Sequence, residues 1–438
     1  MRLFVRSLLF IGLALTAVPQ AVTAADLPRH GVLGAALSVN SGVVTVKAVV
    51  PGSAAASAQI ESGDVIRSIG SVSVTTSADV IQTIRRTPAG TTLEFAIVRN
   101  GENKTLSVTV GAPANEDDPD VQTLYQSVTV NDTLRRVLLD VPKHVDGRRP
   151  AVLLIGGIGC FSIDVASNPE DGYLRITRDL ARAGIVSMRL EKSGVGDSQG
   201  PPCHDVDFND ESASYAVALD ALRRNQHVDP AHIYLLGHSI GTLIAPRLAL
   251  GQKVAGIIVA EAVGRDWFEY ELLNLRRQLE LGGDAPETID AKLQSKEYCM
   301  HRLLIARDAE SQIEADNPSC KLRNGIYPVA APYMQQVAAL NVIEPWTRID
   351  VPVLILYGTS DYVVAPEDHQ RIADVVNRLH NGLATVEKVE QMDHNLQVAA
   401  SPAAFYAAND QGSKTRYQTE FSAAVLKWLC SREQCLHG

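Results

Sequence analysis

The feature that most constrains this chain is the pentapeptide Gly237-His238-Ser239-Ile240-Gly241 and its setting. An apolar run at 233–236 precedes it and a helical run at 242–250 follows. A strand that passes straight into a helix needs a tight turn, and the central residue of that turn takes a strained backbone. Glycines two positions either side leave room for the close approach and expose the serine hydroxyl above the sheet. The pattern alone arises by chance. On a strand–turn–helix it points to a nucleophilic serine rather than to a surface serine on a turn.

The surrounding sequence supports that setting. Strand-like runs at 151–155, 186–190, 233–236, 256–260, 353–357 and 385–389 alternate with helical patterns, which predicts a mostly parallel sheet covered on both faces. Segments 128–130 and 137–141 open it as an antiparallel hairpin. Residues 265–342 break the rhythm with charged helical stretches. An insertion there would lie over the C-terminal ends of the strands, as a cap or lid.

A serine hydroxyl needs an adjacent base, and the base needs an acid that orients it. His394, in a short loop after the strand at 385–389, fits the base. His369 and His380 read as surface residues of one helix, and His238 as structural. Asp361, just beyond the strand at 353–357, is the preferred acid, with Glu261 after the preceding strand as a rival. Asp393 is adjacent to His394 in sequence, which disfavours the side-chain geometry. A developing oxyanion needs preorganised donors. The Ile240 N–H is one. The glycine-rich loop Gly156-Gly157-Ile158-Gly159 supplies the second, assigned to Ile158 with Gly157 and Gly159 as alternatives. The same loop lacks the spacing of a phosphate cradle.

From 151 to 394 this arrangement resembles the α/β-hydrolase family. The stretch Lys192-Ser193-Gly194-Val195-Gly196-Asp197-Ser198-Gln199-Gly200 is similar to a wall-forming loop of its esterase and serine-peptidase branches. The departure is Gly156-Gly157, where many members carry His-Gly. The resemblance implies an α/β fold with a cap insertion over 123–436 and cleavage of a small-molecule ester or a peptide through an acyl-enzyme. A scaffold with an inert hydrolase fold is the alternative from a different class. No metal or other cofactor is implied.

Ahead of this region lies a smaller β-rich one. Strands at 43–50, 64–69, 92–98 and 105–110, helices at 53–58 and 79–86, and a turn at Asn100-Gly101 occupy it. With Val50-Pro51-Gly52-Ser53 and Ser62-Gly63-Asp64-Val65 it resembles a PDZ domain over 29–111. Such a domain adds a peptide C-terminus as a strand at a sheet edge. The resemblance places the carboxylate loop at Leu33-Gly34-Ala35, and a role as spacer is the alternative reading. The acidic, proline-bearing stretch 112–122 reads as a linker.

Residues 1–25 read as a signal peptide, with Arg2 and Arg6 before a short apolar run. No later stretch is long and apolar enough to span a membrane as a helix. The expected location is the periplasm or the exterior. Six cysteines then suggest disulfides. Many pairings are open, and proximity favours Cys430–Cys435 and Cys299–Cys320, which leaves Cys160 with Cys203. The spacings do not resemble zinc sites. A formal net charge of -10 argues against nucleic acid as a partner.

Overall fold

The computed structural model describes residues 27–321, 328–411 and 416–436. The expected signal peptide therefore lies outside the described residues, Met1 to Ala25 included.

The first unit is a small sheet with strands β1 (Ala35–Asn40), β2 (Val43–Val49), β3 (Val65–Ile69), β4 (Val72–Ser73), β5 (Thr92–Arg99) and β6 (Glu102–Thr109). They run in the order β1-β2-β3-β5-β6, with β4 paired to β3. Val44, Val46, Ile66, Ile69, Phe95, Ile97 and Val108 alternate inward and pack on Val80 and Ile84 of the helix Ser77–Arg86. Thr76 and Asp79 cap that helix reciprocally. The β5–β6 hairpin turns on Asn100 and Gly101, both at positive φ as a tight hairpin requires. β1 is an edge strand.

The second unit is an eight-stranded sheet in the order β14-β13-β12-β11-β9-β10-β8-β7. Its strands are β7 (Val121–Val130), β8 (Thr133–Pro142), β9 (Arg149–Ile155), β10 (Val186–Leu190), β11 (Val228–His238), β12 (Gly256–Ala260), β13 (Val353–Gly358) and β14 (Ala384–Val389). The β7–β8 hairpin is antiparallel, and β9 to β14 are parallel to one another. The central strands are buried along their length because helices cover both faces. This is an α/β-hydrolase fold preceded by a β-rich unit. Among the described residues, no helix is long and apolar enough to cross a membrane.

The stretch between β12 and β13 contains helices Trp267–Leu281, Pro286–Met300, Glu310–Asp316 and Ala331–Ala338. Arg277 donates to the carbonyls of Tyr362 and Val363, just past β13. The Ala330 N–H donates to His204, and Gln336 to Asp207. These bonds fasten the insertion to loops at the C-terminal ends of the strands.

Residues 112–120 join the two units without helix or strand, and two of their acidic side chains turn inward. Glu116 and Asp118 are buried. Arg189 of β10 is wholly enclosed, and a buried guanidinium requires carboxylate partners. Glu116 and Asp140 supply them at 2.6 and 3.0 Å. Arg182 reaches Asp118 at 2.6 Å, and Val121 already belongs to β7. Two acidic residues of this stretch thus pair with the buried Arg189 and with Arg182.

Three disulfides join Cys160–Cys203, Cys299–Cys320 and Cys430–Cys435, the pairing that proximity favoured.

Candidate functional site

Ser239 sits between β11 and the helix Gly241–Gly251, with φ of 53°. That left-handed backbone is costly for a residue with a Cβ, by about 1–3 kcal/mol. Its surroundings hold it there. A Cβ on Gly241 would lie 2.2 Å from the Ile155 carbonyl oxygen, and one on Gly237 would lie 2.6 Å from the Gly241 carbonyl oxygen. Only glycine permits the turn to close this tightly. The Ser239 N–H donates to the Ala260 carbonyl of β12.

A residue from a distant loop meets this serine, and a second loop residue backs it. His394 follows β14 and places Nε2 3.0 Å from the Ser239 hydroxyl oxygen. Its Nδ1 lies 2.7 Å from Oδ2 of Asp361, which follows β13. Oδ1 of Asp361 accepts from the Val363 N–H at 2.6 Å. Burial alone would raise the Asp361 pKa. The charge and hydrogen bond of His394 outweigh it, and the carboxyl is held below its ordinary range.

Glu261, the rival acid, does not touch His394 through a hydrogen bond. Its Oε1 accepts from the Gly358 N–H at 2.7 Å, and the side chain lies fully buried beside Asp361. Burial and the neighbouring Asp361 charge push its carboxyl well above the ordinary range, so it stands protonated. Asp393 turns away and accepts from the N–H groups of Asn395 and Gln397. Burial lifts its carboxyl to about 6.

His369 departs from expectation. It is buried rather than superficial, donating from Nδ1 to the Ala365 carbonyl and accepting the Ala262 N–H at Nε2. It braces the turn that carries Glu261, whose φ is 51°. Helical periodicity placed it on the right helix but could not show that this face meets β12. His380 is exposed, as its place at the helix end suggested.

His238 is structural in its contacts. Nε2 donates to the His394 carbonyl at 2.8 Å, and Nδ1 accepts from the Tyr173 hydroxyl at 2.7 Å. Burial, then the His394 charge, pushes it down to about 3, so the ring is neutral. Tyr173 was not singled out from the sequence. Its hydroxyl oxygen also accepts the Gly157 N–H at 2.8 Å. An aromatic residue on a helix carries no signal of such a contact.

That bond engages one of the oxyanion-loop alternatives, Gly157, and leaves the N–H groups of Ile158 and Gly159 without a hydrogen bond within the described residues. The Gly156 N–H is held by Tyr215 and the Gly157 N–H by Tyr173. Among the described residues, no intramolecular hydrogen bond engages the N–H of Ile158 or of Ile240. Ile158, Phe161, Asp171, Tyr173, Ser239 and His394 are among the residues lining a cleft of about 340 Å³. Among the described residues the one group of three side chains close enough to hold a metal is Glu261, Asp361 and His394, of which His394 is engaged by Asp361 and Ser239.

In the first unit, Gly34 takes φ of +73°, and a Cβ there would lie 2.3 Å from that of Ser53. Its carbonyl accepts from the Ser53 hydroxyl and the Val50 N–H. Leu33 is buried in the small core, and Ala35 begins the edge strand β1. The unit docks on the larger one through its first residues. Asp197 receives the His30 N–H, the His30 ring and Arg136 at 2.7–2.9 Å. Arg29 reaches Asp164 at 2.7 Å and lies over the Tyr125 ring.

Comparison with known proteins accords with this architecture. A PDZ domain family model matches residues 31–110. The family model described as serine aminopeptidase, S33, matches residues 170–397, just over half the chain. Esterase EstD of Thermotoga maritima is 23% identical over 250 residues, 56% of this chain and 54% of that protein. The polyketide transferase ATR5 of Stachybotrys chlorohalonatus is 29% identical over 86 residues, 20% of this chain and 29% of that one. The chain thus spans about half or less of the curated relatives it matches. Among solved structures, DcsB bound to a substrate analogue has a TM-score of 0.45 at 16% identity, covering 72% of this chain and 99% of that one. Est1E from Butyrivibrio proteoclasticus has a TM-score of 0.42 at 14% identity, covering 70% and 99%. The chain belongs to the serine aminopeptidase S33 family of α/β-hydrolases, and it carries a PDZ domain in front of that fold.

Proposed function

We infer that this protein is an exported serine hydrolase that cleaves carboxylic esters. The observation that carries the reading is the linear contact Ser239–His394–Asp361, at 3.0 and 2.7 Å, beside two backbone N–H groups without an internal partner. Ser239 attacks the ester carbonyl while His394 takes its proton. The N–H groups of Ile240 and Ile158 receive the oxyanion. His394 then returns the proton to the leaving alcohol, and water releases the acyl group by the same steps. Asp361 holds the imidazole with Nδ1 protonated and stabilises the imidazolium. Export is supported by the three disulfides and by the basic, apolar start of the chain.

A second reading, peptidase activity, draws on the PDZ unit. Its edge strand β1 and the loop Leu33-Gly34-Ala35 offer a place for a peptide C-terminus. Hydrolysis of an ester and of a peptide share the first chemical step, so one probe tests both. A fluorophosphonate should label the wild type and not Ser239→Ala, with ester and peptide panels then separating the substrates. An unlabelled, folded wild type would refute both readings.

A further inference from the structure

We propose that Lys192 is a positioning residue that sets the oxyanion hole, an inference that rests on the serine-hydrolase reading above. Lys192 follows β10 and is buried, and its polar partners do not include Ser239 or His394. Its Nζ donates to the Gly157 carbonyl at 2.8 Å and pairs with Glu211 at 2.9 Å. A buried ammonium needs such partners, so its position is held from two directions.

The Gly157 carbonyl is the other end of the peptide unit that carries the Ile158 N–H. The chain has no cis peptide bond among the described residues, so that N–H points opposite to the carbonyl. A carbonyl drawn toward Lys192 therefore turns the Ile158 N–H away from Lys192. The loop abuts the serine: a Cβ on Gly157 would lie 3.5 Å from the Ser239 Cβ. Tyr173 fixes the Gly157 N–H, so the residue is gripped at both its N–H and its C=O. Rotation of the Gly157–Ile158 peptide would break the bond to a buried cation.

The charge has a second effect. A hydrogen bond from a cation to a carbonyl polarises the peptide unit and strengthens its N–H as a donor, because such bonds reinforce one another in series. A low-dielectric setting enlarges that effect. The disulfide Cys160–Cys203 ties the following part of the loop to the segment that succeeds the Lys192 loop. Lys192 thus acts on the transition state through the backbone without contacting the substrate.

The test compares wild type, Lys192→Met and the double variant Lys192→Met/Glu211→Gln on a short p-nitrophenyl ester, with a trifluoromethyl ketone as the tetrahedral analogue. The double variant leaves no unpaired buried charge, so it keeps the test valid if the single variant misfolds. Loss of one oxyanion donor costs about 10²–10³ in kcat. We expect a fall of that size, KM within about threefold, and a matching loss of ketone affinity. Lys192→Arg, which keeps a cationic donor, recovers at least about tenfold of the loss. A folded Met variant with kcat near wild type, or with kcat reduced while ketone affinity is unchanged, overturns the proposal. Wild type that fails fluorophosphonate labelling would instead overturn the underlying reading.

Discussion

Replacing Asp361 with asparagine separates the two acids that the sequence left in competition. Oδ1 of Asp361 accepts the Val363 N–H and Oδ2 faces His394 Nδ1. In Asp361→Asn, the amide oxygen stays on Val363, because an NH₂ group there would confront another donor. The NH₂ then faces His394 and must donate to Nδ1. That fixes the ring with its proton on Nε2, the atom that has to accept from Ser239. The base is blocked by tautomer while the shape is kept. A carboxylate-to-amide change of this kind costs about 10⁴ in kcat, or about 5.5 kcal/mol. Glu261→Gln should act differently. Glu261 already stands protonated and neutral, and glutamine retains the acceptor for the Gly358 N–H. Its expected loss is within about tenfold, since no charge beside the imidazolium is removed. Steady-state ester hydrolysis and the rate of fluorophosphonate labelling read both variants. A loss near 10⁴ in Glu261→Gln with little change in Asp361→Asn would refute the assignment.

Two further outcomes follow from covalent and electrostatic features. Loop-closure entropy ranks the disulfides by separations of 43, 21 and 5 residues, at about 4, 3 and 2 kcal/mol. Paired Cys→Ser variants should lose chemical stability in that order for Cys160–Cys203, Cys299–Cys320 and Cys430–Cys435, and the opposite order in urea melts contradicts it. Burial pushes Glu191 up to about 7 from its ordinary 4.5, with bonds from Ser162 and Ile163 only partly offsetting it. Between those values the folded state keeps a proton that the unfolded chain releases, so this group makes stability fall as pH rises from about 4.5 to 7. Melts of Glu191→Gln across that window should lack this slope; an unchanged slope assigns it elsewhere.

Periodicity and turn chemistry made much of the architecture legible before any coordinates. The alternating apolar runs located the strands of the parallel sheet, and Asn100-Gly101 located the hairpin of the small unit. The serine turn was readable because its constraint is local: glycines at 237 and 241 are required by backbone atoms a few residues away and by the next strand. His394 and Asp361 were readable as loop residues following strands. Their order along the chain is a property of the fold's connectivity.

What the sequence could not express were contacts whose partners lie far apart. Glu116 read only as part of an acidic linker because nothing local records Arg189, which lies 73 positions away and is buried in β10. His369 looked superficial for the same reason. Glu261 and Asp361 were equal in kind, and only their positions around His394 decided which carboxyl ionises and which stays protonated. The oxyanion loop showed three glycines, with Ile158 preferred as donor and Gly157 and Gly159 as alternatives, but not which of its N–H groups are engaged from elsewhere. Tyr173, Tyr215 and Lys192, brought in by a helix, a second helix and a strand end, occupy the backbone groups of Gly156 and Gly157 and leave the N–H groups of Ile158 and Gly159 open. Local backbone preference acts over a few residues and is written in the sequence. Desolvation and hydrogen-bond partnership depend on which distant groups share one volume, and only the folded chain determines that.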